Sequence, residues 1–274
     1  MPEYSFNGFS FRIKYPAVMG ILNLTPDSFS DGGKYLILEK AIEQSLNMYD
    51  SGAQIIDIGG ESTRPGSEPV SEQEELSRIL PILEKLPKDV FLISLDTTKT
   101  AVAEAGLQAG VHIINDVSGG NPALLDLAEK YNAGYVIMHS QGIPKTMQNS
   151  PSYHNVCDEI RDFFDQKKED LLKRNLQRVW VDPGIGFGKS LQHNLEIMKN
   201  LHRFQSDSWG VLLGASRKSW IDHLCDAPCP DERLGGSIIS ALSSIRQGAE
   251  IIRVHDVLET CQAIKVAKEL ALFE

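Results

Sequence analysis

Residues 90–96, VFLISLD, are apolar almost throughout and end on a carboxylate, with no regular alternation of polar and apolar positions. A strand of this kind is buried on both faces, as in a parallel sheet covered by helices. Similar runs occur at 16–22 (PAVMGIL), 54–59 (QIIDIG), 111–116 (VHIIND), 134–139 (GYVIMH), 178–182 (RVWVD), 210–216 (GVLLGAS) and 250–255 (EIIRVH). Between them lie stretches of helical period, such as LEKAIEQSLNMYDSG at 38–52, halted by Gly52, and VLETCQAIKVAKELALF at 257–273. Strand and helix signals therefore alternate about eight times without a linker or low-complexity segment. A chain of 274 residues is close to the roughly 250 of a (β/α)8 TIM barrel, and the pattern predicts one such domain over 1–274. An open doubly wound sheet also alternates strand and helix, but no GxGxxG marks the first turn here. The opening segment differs: Tyr4, Phe6, Phe9 and Phe11 flank Asn7-Gly8, a pair suited to a type I′ turn. It predicts a β-hairpin over 1–14 that caps the lower end of the barrel.

The formal net charge of -10 argues against nucleic acid or an anionic membrane as the main partner, since both call for a basic surface. An anionic substrate would have to meet a local positive site. The N-terminal residues lack the pattern of a signal peptide, and no apolar stretch approaches the roughly 20 residues of a membrane span. The expected compartment is the cytoplasm, where Cys157, Cys225, Cys229 and Cys261 would be free thiols. Cys225 and Cys229 have no neighbouring His or Cys pair to complete a zinc site.

In TIM barrels reactive groups gather where strands end and βα loops begin. Asn23, Asp96, Asn115 and Asp182 fall at such ends, and the last strand carries Arg253 and His255 two residues apart, a spacing that sends both to one side. Each Asp or Asn could equally be a helix cap or turn former. Together they would converge in space in either case. The segment GFGKS at 186–190 ends like a phosphate-binding P-loop, which requires a glycine separated by four residues from the Gly-Lys pair. Counting back through Phe187, Gly186, Ile185 and Gly184 puts Pro183 there, so the motif fails.

MGILNLTPDSFSDGG at 19–33, IDIGGESTRPG at 56–66, INDVSGG at 114–120, DPGIGFGKS at 182–190, SRKS at 216–219 and IIRVHDV at 251–257 resemble, in order, the signatures of the dihydropteroate synthases. The resemblance implies an enzyme of folate biosynthesis that joins (7,8-dihydropterin-6-yl)methyl diphosphate to p-aminobenzoate, releasing pyrophosphate. It implies that Asp96, Asn115, Asp182 and Lys218 hold the pterin, a head that needs carboxylate acceptors and an amide able to donate and accept. Met138 would add apolar ring contact, although a Met also serves as barrel packing. Arg253 and His255 would grip the diphosphate, Arg253 through paired hydrogen bonds, with Thr63 assisting. Asn23 resembles the family residue that coordinates Mg2+, an ion content with few protein oxygens beside phosphate. For p-aminobenzoate the resemblance points to Thr63, Arg64, Pro65, Phe187 and Ser219, the last at the start of a helix whose free N–H groups suit an anion.

Catalysis would then rest on Arg253, His255, Lys218 and Asp96, stabilising a departing pyrophosphate and a delocalised pterin cation without a covalent nucleophile. The Gly-, Pro- and Ser-rich first and second loops are expected to be mobile without substrate and to close over the site. Ser140 and Gly235 depart from residues common in the family, and neither is an assigned position. Two other functions share the pterin pocket: methyl transfer from methyltetrahydrofolate to a corrinoid protein, and non-catalytic pterin binding. The first has no need of Arg253, His255 and STRPG, and the second should have lost some of Asn23, Arg64, Lys218, Arg253 or His255. The family resemblance also implies a homodimer.

Overall fold

In the computed structural model Asn7 and Gly8 both take positive φ, 45° and 84°, the backbone a two-residue type I′ turn demands. Glu3–Phe6 (β1) therefore folds back on Phe9–Arg12 (β2) as the expected antiparallel hairpin. The structure describes residues 3–24, 34–62, 67–142, 147–148 and 150–273. After the hairpin come β3 (Ala17–Asn23), α1 (Lys34–Asp50), β4 (Ile55–Gly59), α2 (Glu72–Leu83), β5 (Leu92–Asp96), α3 (Thr100–Gln108) and β6 (Ile113–Asp116). They are followed by α4 (Pro122–Lys130), β7 (Gly134–Met138), α5 (Val156–Lys173), β8 (Val179–Asp182), α6 (Leu191–Lys199) and β9 (Gly210–Leu213). The series ends with α7 (Ser219–Cys225), α8 (Leu234–Arg246), β10 (Ile251–Val254) and α9 (Val257–Glu269). Strands β3 to β10 close on themselves in the order β10-β3-β4-β5-β6-β7-β8-β9, all parallel. This is the (β/α)8 barrel. The strand expected over 210–216 stops at Leu213, because its ladders to β8 and β10 end at Val211 and Leu213 respectively.

Successive side chains alternate across each strand, and here the alternation has a consequence that the continuous apolar runs conceal. One set, including Val18, Ile56, Ile58, Ile93, Leu95, Ile114 and Ile252, packs outward among the helices. The other set points into the barrel. At its lower end Ala17, Met19, Ile55, Leu92, Ile113, Val136, Trp180, Leu212 and Ile251 form a separate core with Phe6 and Ile13. Two and four residues further along the same inward positions lie Asp57, Gly59, Ser94, Asp96, Asn115, Met138, Asp182, Gly214, Arg253 and His255. Each strand thus spends the first part of its inward face on a plug and the rest on the upper mouth.

The hairpin completes that plug. Phe6 is fully buried against Trp180, with ring centroids 6.2 Å apart. Asn7 Nδ2 donates to the carbonyls of Leu107 and Val111 at 2.8 Å, and Asn132 Nδ2 donates to the Ser5 carbonyl at 2.8 Å. Phe6→Ala is expected to cost about 3–5 kcal/mol, the range for truncating a buried aromatic ring. The lowered midpoint should be visible in urea unfolding, with the polar upper mouth unaltered because it lies at the opposite end. Among the described residues no helix is long and apolar enough to cross a membrane.

Candidate active site

Arg253 projects from β10 into the barrel, where a lone guanidinium would be costly to desolvate. Two carboxylates compensate it: Nε donates to Asp57 Oδ2 at 2.6 Å and Nη2 to Asp96 Oδ2 at 2.8 Å. The same Asp57 oxygen accepts from Asn115 Nδ2 at 3.1 Å. One carboxylate therefore orients residues from two other strands. Burial works against the Arg253 charge, but Asp57 and Asp96 outweigh it and hold the group above its ordinary range. Burial raises Asp96 to about 7, with Arg253 opposing and Asp57, Glu75 and Asp116 adding to the rise.

Asp182 ends β8 as expected. Its Oδ1 accepts from the Gly184 amide at 2.8 Å, and burial raises its pKa against the pull of Lys218. Lys218 donates to the Ile185 carbonyl at 2.6 Å and lies 4.6 Å from the centre of the half-buried Phe187 ring. Desolvation lowers Lys218 to about 8, with Asp182 opposing and Arg253 adding. Just before it, Arg217 takes a positive φ of 58° and is tied to Asp256 and Asp231. Ser219 is the exposed first residue of α7. His255 lies one residue beyond β10, its Nδ1 3.2 Å from Ser216 Oγ and its amide donating to the same oxygen at 3.3 Å.

Among the described residues, two inward positions at the mouth, Gly59 and Gly214, have no side chain. A Cβ at Gly59 would lie 3.6 Å from Asp96 Cβ and 3.9 Å from Asn23 Oδ1, and one at Gly214 would lie 3.6 Å from Asp182 Oδ2 and 3.7 Å from Arg253 Cδ. A larger residue at either position would fill the mouth between these polar groups. Met138, opposite Asp182 in the β7–β8 register, supplies an apolar surface. The Asn23 amide oxygen, a hard donor beside the open Gly59 position, suits Mg2+ but cannot enclose it. No cluster of three or more His, Cys, Asp or Glu able to hold a metal occurs among the described residues, and Cys225 and Cys229 are exposed free thiols.

Of the residues expected at a site, Asp96, Asn115, Asp182, Lys218, Arg253 and Met138 converge on the mouth, with Asn23, Phe187, His255 and Ser219 around it. Thr63, Arg64 and Pro65 lie outside the described residues, as does much of the first loop, 25–33, on which the expected closure depends. Asp57 was not foreseen. Its signal is a fully buried acid at an inward position, two residues before Gly59, in a run otherwise read as apolar. Lys99 was also not foreseen. It stands three residues after Asp96 and bridges Glu61 at 2.6 Å and the buried Glu75 at 2.7 Å, joining the loop after β4 to α2.

Residues 19–255 match the family model of pterin binding enzymes. The chain is 44% identical over 260 residues to the dihydropteroate synthase of Synechocystis sp., covering 92% of this chain and 89% of that one. It superposes with a TM-score of 0.91 on a Xanthomonas albilineans dihydropteroate synthase with 4-aminobenzoic acid, 36% identical, covering 100% of this chain and 99% of that one. A structure of dihydropteroate synthase from the same organism in complex with 7,8-dihydropteroate gives a TM-score of 0.87 at 33% identity, with 100% of each chain covered.

Proposed function

The chain belongs to the dihydropteroate synthase family of pterin-binding enzymes, and from that premise we propose how its barrel mouth is divided among a pterin, a diphosphate and an aminobenzoate. The activity is a transfer in folate biosynthesis: (7,8-dihydropterin-6-yl)methyl diphosphate and p-aminobenzoate give 7,8-dihydropteroate and pyrophosphate. The observation that carries the assignment is the linked set Asp57–Arg253–Asp96, with Asn115 on the same carboxylate.

At the pterin end Asp182 accepts from the amine-bearing edge and Lys218 donates to a ring acceptor. Asn115 has already given an amide hydrogen to Asp57, so its carbonyl oxygen and remaining N–H serve the ring. Met138 covers a face of the ring. At the diphosphate end Arg253 has committed two of its five N–H donors to Asp57 and Asp96. The other three are available to phosphate oxygens, joined by His255 and Thr63. Asn23 would hold Mg2+, whose charge, when bound, offsets that of the diphosphate.

The C–O bond to the methylene carbon breaks and pyrophosphate leaves with the electron pair. The ionised forms of Asp96 and Asp182 stabilise the delocalised cation. The neutral aromatic amine, held by Phe187, Pro65, Thr63 and Arg64 with its carboxylate toward Ser219, then forms the C–N bond and loses a proton. Because that amine already has a free lone pair, orientation matters more than a strong base.

Purified protein given the pterin diphosphate, p-aminobenzoate and Mg2+ is expected to release pyrophosphate in step with dihydropteroate. Folded protein that releases none would overturn the assignment. A homodimer is supported by exposed apolar side chains on α8 and α9, among them Ile239, Leu258 and Val266. A cytoplasmic location is supported by the exposed thiols of Cys225 and Cys229, which a reducing compartment keeps free.

A further inference from the structure

Lys189, the lysine of the GFGKS segment, has a role that phosphate binding does not explain. Only 2% of it is exposed, and its Nζ lies 3.0 Å from the Phe187 carbonyl, 3.3 Å from the His139 carbonyl and 3.1 Å from His139 Nδ1. Burial, with Lys189 adding, lowers His139 to about 3, so its ring is neutral, and Nδ1 accepts from a protonated Lys189 when Nε2 carries the ring proton. Three acceptors thus surround one nitrogen. An ammonium has three N–H donors and no lone pair, and matches the two carbonyls and an accepting Nδ1. Burial lowers Lys189 to about 7, opposed by Asp182 and assisted by Lys218. The three acceptors favour the protonated form against that tendency.

The amine sits where two segments of the mouth are pressed together. A Cβ at Gly184 would lie 1.9 Å from the His139 carbonyl oxygen, and one at Gly188 would lie 2.2 Å from that of Gln141. The loop after β8 can approach the end of β7 this closely only because both positions are glycine, with φ of 72° and 63°. Tyr153 Oη donates to the Gly188 carbonyl at 3.0 Å and Asn194 Oδ1 accepts from the Gly186 amide at 2.9 Å. The same loop presents Phe187 and the Ile185 carbonyl, the two groups against which Lys218 rests. Lys189 therefore fixes the backbone oxygen of Phe187 to the residue that follows Met138.

We propose that Lys189 is a positioning residue for the transfer reaction, its amine setting the wall that the aminobenzoate ring meets by locking the Phe187 loop onto the end of β7. This role rests on the proposed function. Asp96, Asn115 and Asp182 are placed by β5, β6 and β8 themselves and Lys218 stands at the start of α7, so the pterin end meets the lock only through the Lys218 contacts to Ile185 and Phe187. Phe187 lies on the loop and depends on it directly.

The test is steady-state kinetics of the full chain carrying Lys189→Met, which keeps an unbranched apolar stem one atom shorter and removes all three donors. KM for p-aminobenzoate is expected to rise about tenfold, the effect of a small packing defect in the wall of an apolar pocket, with kcat and KM for the pterin diphosphate within about twofold. Lys189→Gln, which retains two N–H donors, should recover part of that affinity. A folded Lys189→Met enzyme with unchanged KM for p-aminobenzoate, or with equal losses at both substrates, overturns the role. If the Met variant does not fold, Lys189→Gln decides alone: a selective rise in the aminobenzoate KM supports the role, and wild-type values or equal losses overturn it. Wild-type protein is assayed in parallel. Absence of turnover there would remove the proposed function, and the role that rests on it, whereas wild-type turnover with an unaltered variant would count against Lys189 alone.

Discussion

Arg253→Ala is expected to lower kcat/KM for the pterin diphosphate by about 10³-fold, at the upper end of what removal of one donor to a developing oxyanion costs. The upper end is expected because two effects combine. The leaving group loses its guanidinium, and Asp57 and Asp96 are left together in the barrel without their shared cation. Asp96 is already raised to about 7 by burial, and Arg253 is the neighbour that opposes the rise. Without it Asp96 binds a proton at neutral pH and no longer offers a full negative charge to the pterin cation. Pyrophosphate release measures the loss. Calorimetric binding of a pterin lacking the diphosphate is expected to weaken by about tenfold or less, the worth of one hydrogen bond rather than of the charged pair. Equal losses in turnover and in that binding would show that Arg253 does not act on the leaving group. Arg253→Lys should recover part of the charge compensation but not the paired geometry.

Asp57→Ala is expected to lower the unfolding free energy by about 3–5 kcal/mol, the range for breaking a buried ion pair by deleting one partner. Arg253 would keep only Asp96, and Asn115 Nδ2 would lose its acceptor. Asp57→Asn separates charge from shape. Its amide oxygen can accept from both Arg253 and Asn115, while its NH2 takes the place of Asp57 Oδ1, which has no hydrogen-bond partner. The Asn variant is therefore expected to lose clearly less stability than the Ala variant. Urea unfolding distinguishes them, and an Asp57→Ala protein as stable as wild type would show that the carboxylate is not needed to hold Arg253 in place.

The barrel was legible because each strand announces itself as an apolar run, and the hairpin because Asn7-Gly8 admits few other turns. Asp96, Asn115 and Asp182 were legible for a related reason: a polar residue at the end of such a run has only the mouth to face. Asp57 was not, since it sits within its run and looks like a lone interruption until the inward positions are counted in steps of two. Gly59 and Gly214 were equally silent, because a glycine at a strand end reads as a turn and not as space left for a ligand. GFGKS could be rejected as a P-loop on spacing, but the direction of Lys189 depends on His139, fifty residues away in the chain. Spacing alone carries no such information.

The hairpin over Glu3–Phe6 and Phe9–Arg12 also fixes an order of events in time. It is synthesised before every strand of the barrel, yet the plug it enters includes Ile251 of β10. Its packing partners span almost the whole chain, and long-range pairings of this kind are formed slowly. The complete plug around Phe6 therefore cannot form until β10 has been made. A segment made ahead of the barrel is thus among the last of its elements to be secured, and during that interval its apolar face is open to association with other chains.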